Sequence, residues 1–233
     1  MEMLEEFDVL QQFEKSETKC IGQTKKQLQS KLIRFRRSFN ALCYAFSVIF
    51  HSKLEQDPRK RAIVLLMPRL IFLSKSIHEL TLKGYYFEAS LLERDIVEGI
   101  GLCSLFSRDI DKASKWMKGE DLGVSKRQIA HEIAVFSKSA SDNRVKKLYD
   151  RLSRHVHLDV KPVVRFLPYV TEKSIGLQLL PIFDKEKVTD FSIYPLFLAT
   201  ILWSVFEDEL GGELRKEMKD FFLGVAEEMG KEE

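Results

Sequence analysis

The chain carries long runs free of glycine and proline, and their apolar residues recur at the three- and four-residue spacing of a helix face. From Lys25 to His51 it reads KKQLQSKLIRFRRSFNALCYAFSVIFH, with neither breaker. The first half of this run is basic on one side. The second half becomes apolar nearly all round, the pattern of a central helix. Glycine occurs 11 times and proline 6 times in 233 residues, and most of the prolines fall at expected boundaries. Such a chain is constrained to pack helices against one another, and it is long enough to bury a core.

The boundaries follow from local chemistry. Asp57-Pro58 starts a helix, because Asp suits the cap and Pro the first helical position. That helix runs to about Leu82, with Pro68 as an internal kink or break. Gly84 then punctuates, and YYFEASLLERDIVEGIGLCSLFSRD forms the next helix. DKASKWMKGEDLG gives a short helix and a glycine-containing turn. Ser125 opens SKRQIAHEIAVFSKSAS, and Asp142-Asn143 opens NRVKKLYDRLSRHVH. Past Pro162 the character changes. VVRFLPYVT and SIGLQLLPIFD, separated by EK, are rich in β-branched and large apolar residues, and they predict a small hairpin around residues 163–183. Its prolines keep it at an edge. A helix from about Thr189 to Glu209 follows, then Gly211-Gly212 and a last amphipathic helix to about Met229. No fixed-period repeat and no long linker divides the chain. The expected fold is all-α: one bundle of about seven helices over 1–233, with a late hairpin. The first ~20 residues are expected to be loosely attached.

The totals exclude several function classes. There are 37 basic and 35 acidic residues, and a net charge of +2 sets up no strong field toward nucleic acid or membrane. Any basic surface must come from local clustering. Cys20, Cys43 and Cys103 are far apart, odd in number and form no CxxC pair, which argues against a zinc ribbon or a disulfide framework. Reduced thiols in a cytoplasmic protein are the expectation. The opening MEMLEEFDVL is acidic and lacks the basic-then-apolar order of a secretory signal. FSIYPLFLATILWSVF, Phe191 to Phe206, is 16 residues long. A membrane span needs about 20, so the run reads as a helix buried in the core or in a subunit interface, with a membrane anchor as the lesser alternative. No Walker loop, GxGxxG, GxSxG or HExxH occurs, and no cofactor is expected.

Chemistry concentrates in YDRLSRHVHLDVKP, Tyr149 to Pro162. Histidine can give and take protons near neutrality. Arginine presents a fork of donors that matches a phosphate. Arg151 and His155 share a helix face, as do Arg154 and His157, and Tyr149, Ser153 and His157 follow at steps of four. Arg151 and His157 are about 120° apart around an ideal helix at roughly 100° per residue, so they converge only if the helix ends or a partner completes the site. Together such groups suit metal-independent cleavage of a phosphodiester. The other reading is structural: cations in a last helical turn complement the carbonyl dipole, and Arg151 and Arg154 pair with acids such as Asp150 or Glu98.

RLSRHVH, Arg151 to His157, resembles the R-x(4–6)-H pattern of the HEPN superfamily, with five residues between. HEPN domains are helical bundles in toxins, antiphage systems and RNA-processing nucleases. In their active branches the Arg and His of two protomers meet at a dimer interface as a metal-independent endoribonuclease site. The resemblance implies a homodimer acting on RNA, with His157 as proton carrier and Arg151 as phosphate clamp, supported by Tyr149, Ser153, Arg154 and His155. A second likeness covers Gly84 to Asp159. An Arg-x-x-x-Glu pair (Arg94 and Glu98), then Trp116, then Tyr149-x-x-x-Ser153-x-x-x-His157 resemble an uncharacterised family of prokaryotic helical proteins. It implies a fold and no activity.

Other groupings carry less. Arg94 and Glu98, one turn apart, make a natural ion pair, and Glu98 either orients His157 or Arg151 or fixes helix register. A metal site from His131, Glu132, His155, His157, Glu98 and Asp159 lacks the Glu-x-x-His motif of bundle metal sites. KKQLQSKLIRFRR places Lys31, Arg34 and Arg37 along one helix side. Interleaved with Phe35 and Phe39, the run reads as an RNA track or as a solvated face. PRKR, Pro58 to Arg61, is too short to argue from. The expected function is RNA binding or cleavage by a homodimer in a toxin or defence system. The rival is a non-catalytic homodimeric interaction or regulatory protein.

Overall fold

A computed structural model of the chain describes residues 9–51, 57–136, 169–171, 174–176, 181, 183–185, 191, 193–207, 210, 212, 216–217, 220 and 224. Seven helices stand among them: α1 (Val9–Gln27), α2 (Gln29–His51), α3 (Pro58–Lys83), α4 (Tyr86–Arg108), α5 (Ile110–Met117), α6 (Lys126–Phe136) and α7 (Ile193–Val205). Two short strands, β1 (Tyr169–Thr171) and β2 (Ser174–Gly176), pair antiparallel with Val170 opposite Ile175. They are the only paired strands among the described residues, shorter than the hairpin anticipated over 163–183, and most of the rest of that range lies outside those residues.

Caps set the helix ends. The Asp57 carboxylate accepts from the Arg59 backbone N–H at 2.8 Å and opens α3. Gly84 closes it with φ 88°, a left-handed value that any side chain would strain. α3 continues through Pro68. The Asp109 side chain accepts from Lys112 N to start α5, and Ser125 Oγ accepts from Gln128 N ahead of α6.

The core is built on α3 and α4, which make the most extensive pairing, with α7 packed against α2, α3 and α4. α7 buries Tyr194, Pro195, Leu198, Ala199, Ile201 and Leu202. No helix of the described residues is long and apolar enough to cross a membrane. The expectation for the second half of α2 needs correcting. Leu42, Ala45 and Ile49 are fully buried, but Tyr44 and Phe50 are 59% and 60% exposed. α2 is therefore one-sided, and α7 takes the interior place. α1 is tied down near its middle: Ser16 Oγ donates to Pro181 O, Tyr85 Oη donates to Glu17 Oε1 at 2.8 Å, and Lys83 pairs with the same carboxylate.

The α3–α4 seam is close at Gly99. A Cβ there would lie 2.2 Å from Leu70 Cδ2 and 3.2 Å from its Cγ, and Leu70 is 1% exposed. Gly99→Val is expected to destabilise the fold by about 1–3 kcal/mol through overpacking, read as a lower urea midpoint with an unchanged m-value.

Candidate functional site

The basic run is interrupted at Leu28, a 5% exposed residue between α1 and α2. Leu28 N still donates to Thr24 O and Leu32 N to Leu28 O, so the backbone stays bonded through the break. No glycine or proline marks it. Its effect is to divide the cations between two helices. Lys25 and Lys26 end α1, where they complement its carbonyl dipole. Arg36 and Arg37 project from α2. All four are exposed, and all four line a groove of about 890 Å³ closed on its far side by the end of α3.

The groove floor is apolar and aromatic. Leu32, Phe35, Phe39 and Leu82 line it, with the Phe35 and Phe39 rings stacked at 5.4 Å. His78 lies flat on Phe35, with centroids 4.0 Å apart and planes 13° apart, and its ring also meets Phe191 at 5.0 Å. Burial pushes the His78 pKa down to about 4, so its imidazole is neutral at neutral pH. Its Nδ1 has no hydrogen-bond partner among the described residues. The positive charge of the groove is thus that of its lysines and arginines. Arg34 departs from the expected stripe of Lys31, Arg34 and Arg37: it is 4% exposed, and neither it nor Lys31 lines the groove.

The depressed His78 pKa has a stability consequence. A base whose folded pKa lies below its unfolded value binds protons preferentially when unfolded. Its contribution is complete above about pH 6.5 and is lost as pH falls toward about 4. The loss is expected to be on the order of 1–3 kcal/mol. Comparing urea midpoints at neutral and acid pH tests it, and His78→Phe should fall less on acidification than the parent.

Arg94 Nε donates to Glu98 Oε1 at 2.8 Å, a half-buried pair one turn apart on α4. Glu98 also lines a smaller cavity of about 300 Å³ with Trp116, Asp95 and Arg69, and the last two are paired at 3.2 Å. The structure thus brings Glu98 and Trp116 to one cavity. Tyr149, Arg151, Ser153, Arg154, His155 and His157 lie outside the described residues. Glu132 is ion-paired with Arg108, and no group of three metal-ligating side chains converges among the described residues. Burial raises all three thiol pKa values, that of Cys103 to about 12, so none is poised as a thiolate.

A third cavity, of about 600 Å³, is one that sequence reasoning missed. It lies where the start of α3, the end of α4 and the end of α7 meet. Arg59, Lys60 and Arg108 contribute cations, Ser107, Thr200 and Ser204 hydroxyls, and Trp203 an aromatic wall. Arg59 also grips Asp57 through Nε and Nη2, which holds that carboxyl below its ordinary pKa. The only sequence signal was PRKR.

Comparison with known proteins gives no match: no family model, no curated protein and no solved structure shows significant similarity to the chain.

Proposed function

We propose that the protein binds single-stranded RNA in the groove formed by α1, α2 and the end of α3. The observation that carries this reading is the pairing of four exposed cations with an aromatic, apolar floor. Cations track phosphates, and unpaired bases place their faces on apolar and aromatic surface. A duplex keeps its bases stacked and has no use for such a floor, so single strands are favoured. Labelled single-stranded RNA titrated with the protein, followed by anisotropy, should show affinity that falls steeply between about 50 and 200 mM salt. Duplex RNA should bind more weakly. Equal binding of the two, or binding indifferent to salt, would count against the groove.

The finer form of the reading is a HEPN-like homodimer that cleaves the RNA, with Arg151 as phosphate clamp and His157 as proton carrier. Its support is the R-x(4–6)-H pattern in the sequence.

A second reading, a non-catalytic homodimeric interaction protein, is favoured by one observation. Leu65 and Phe72, two turns apart on α3, are 63% and 68% exposed. Sedimentation of the parent beside Phe72→Asp would reveal a dimer held by that face.

A further inference from the structure

The third cavity combines features that neither the groove nor the core requires. We infer that it is a binding site for a phosphate-bearing aromatic ligand of nucleoside monophosphate size. Its volume of about 600 Å³ falls within the roughly 300–1,000 Å³ typical of small-molecule sites. Three cations line it; Asp57 is the one carboxylate in the lining, and Glu132 behind Arg108 is a second beside it. Arg108 is paired with Glu132 and Arg59 with Asp57, so both guanidinium groups are held in place before a phosphate arrives. Lys60 adds a third cation from the first turn of α3.

The hydroxyls set a different polarity. Ser107 Oγ donates to Ser104 O, Thr200 Oγ1 to Leu196 O and Ser204 Oγ to Ile201 O. Each proton is therefore spent on its own helix, and what each hydroxyl retains for a ligand is acceptor capacity. A ribose hydroxyl or an exocyclic amine supplies the matching donors. Trp203 supplies a flat apolar face, on which a base can stack. A simple inorganic anion would use the cations and leave the aromatic wall and the acceptors idle.

This cavity is separate from the RNA groove. Arg59 and His78 are nineteen residues apart on α3, about 28 Å at ~1.5 Å per residue. The same chemistry is offered by a free mononucleotide and by the 5′-phosphorylated end of an RNA strand, and the test separates them.

The chain has two tryptophans, Trp116 beside the smaller cavity and Trp203 in this one. Titrating the protein with adenosine monophosphate and with guanosine monophosphate should quench tryptophan emission saturably. The quench should survive in Trp116→Phe and vanish in Trp203→Phe. Calorimetric affinity should fall at least about tenfold in Lys60→Gln, and at least about tenfold when the nucleoside lacks its phosphate. A parallel arm compares 5′-phosphorylated with 5′-hydroxyl oligoribonucleotides: a preference for the former, with free mononucleotide binding weaker, makes the site a reader of RNA ends. No saturable binding of either mononucleotide or phosphorylated end up to millimolar concentration overturns the proposal. So does a quench unchanged in Trp203→Phe, or equal affinity for nucleoside and nucleotide.

Discussion

Lys26→Glu combined with Arg36→Glu is expected to weaken single-stranded RNA binding by about 100-fold at moderate salt. Both side chains are exposed and line the groove from different helices, so the pair tests the groove and not one helix face. Each cation that meets a phosphate adds roughly 0.7 to the slope of log affinity against log salt for single strands. Losing two should flatten that slope by about 1.4. Reversal adds repulsion beyond the lost contacts, which is why the affinity change exceeds simple neutralisation. The control is Lys118→Glu with Arg127→Glu, two exposed cations outside the groove that alter net charge equally. If the protein attracted RNA through overall charge alone, both double variants would lose affinity alike. The groove reading requires the first pair to lose far more. Unchanged thermal midpoints would exclude a folding explanation.

Helix starts and stops were legible because they depend on local chemistry. Asp57, Gly84 and Ser125 satisfy backbone groups within a few residues of themselves, and the structure uses each one. The break at Leu28 was not legible. It involves no breaker residue, and only tertiary packing of a buried leucine distinguishes it. The burial of Arg34 escaped for a related reason, since an arginine among cations reads as solvent-facing. The apolar run of α2 has the pattern of a central helix, but one-dimensional periodicity does not report whether neighbours cover every face. Here Tyr44 and Phe50 are left uncovered, and α7 occupies the interior.

The sites show the same division. KKQLQSKLIRFRR announced a cationic segment with aromatics, but the choice of Lys25, Lys26, Arg36 and Arg37 over Lys31 and Arg34 depends on where the run divides. Arg94 and Glu98 were legible as a one-turn pair because side-chain reach along a helix is fixed. The Trp203 cavity was not legible beyond the short PRKR run. Its residues come from Arg59, Arg108 and Trp203, on three helices far apart in the chain, and no spacing rule connects them.

The largest expected effect belongs to His157. If the Tyr149–His157 segment cleaves RNA, His157→Ala should lower the rate by about 10²–10⁴-fold, the usual contribution of a positioned acid–base group. Arg151→Ala should fall comparably through lost stabilisation of charge on the phosphate. Cleavage should persist with a chelator present, and a substrate with a 2′-deoxy sugar at the scissile position should resist, because the ribose hydroxyl is the group whose proton histidine takes. Mixing the two dead variants provides the sharper test. In a homodimer whose site takes Arg151 from one protomer and His157 from its partner, a mixed dimer contains one site with both groups intact. Random exchange puts half the dimers in the mixed form with one of two sites working, so about a quarter of the parent activity should return. A site built within one chain gives no recovery on mixing. An inactive parent across varied RNAs would remove the catalytic role from Arg151 and His157 and would leave the cationic groove with binding alone.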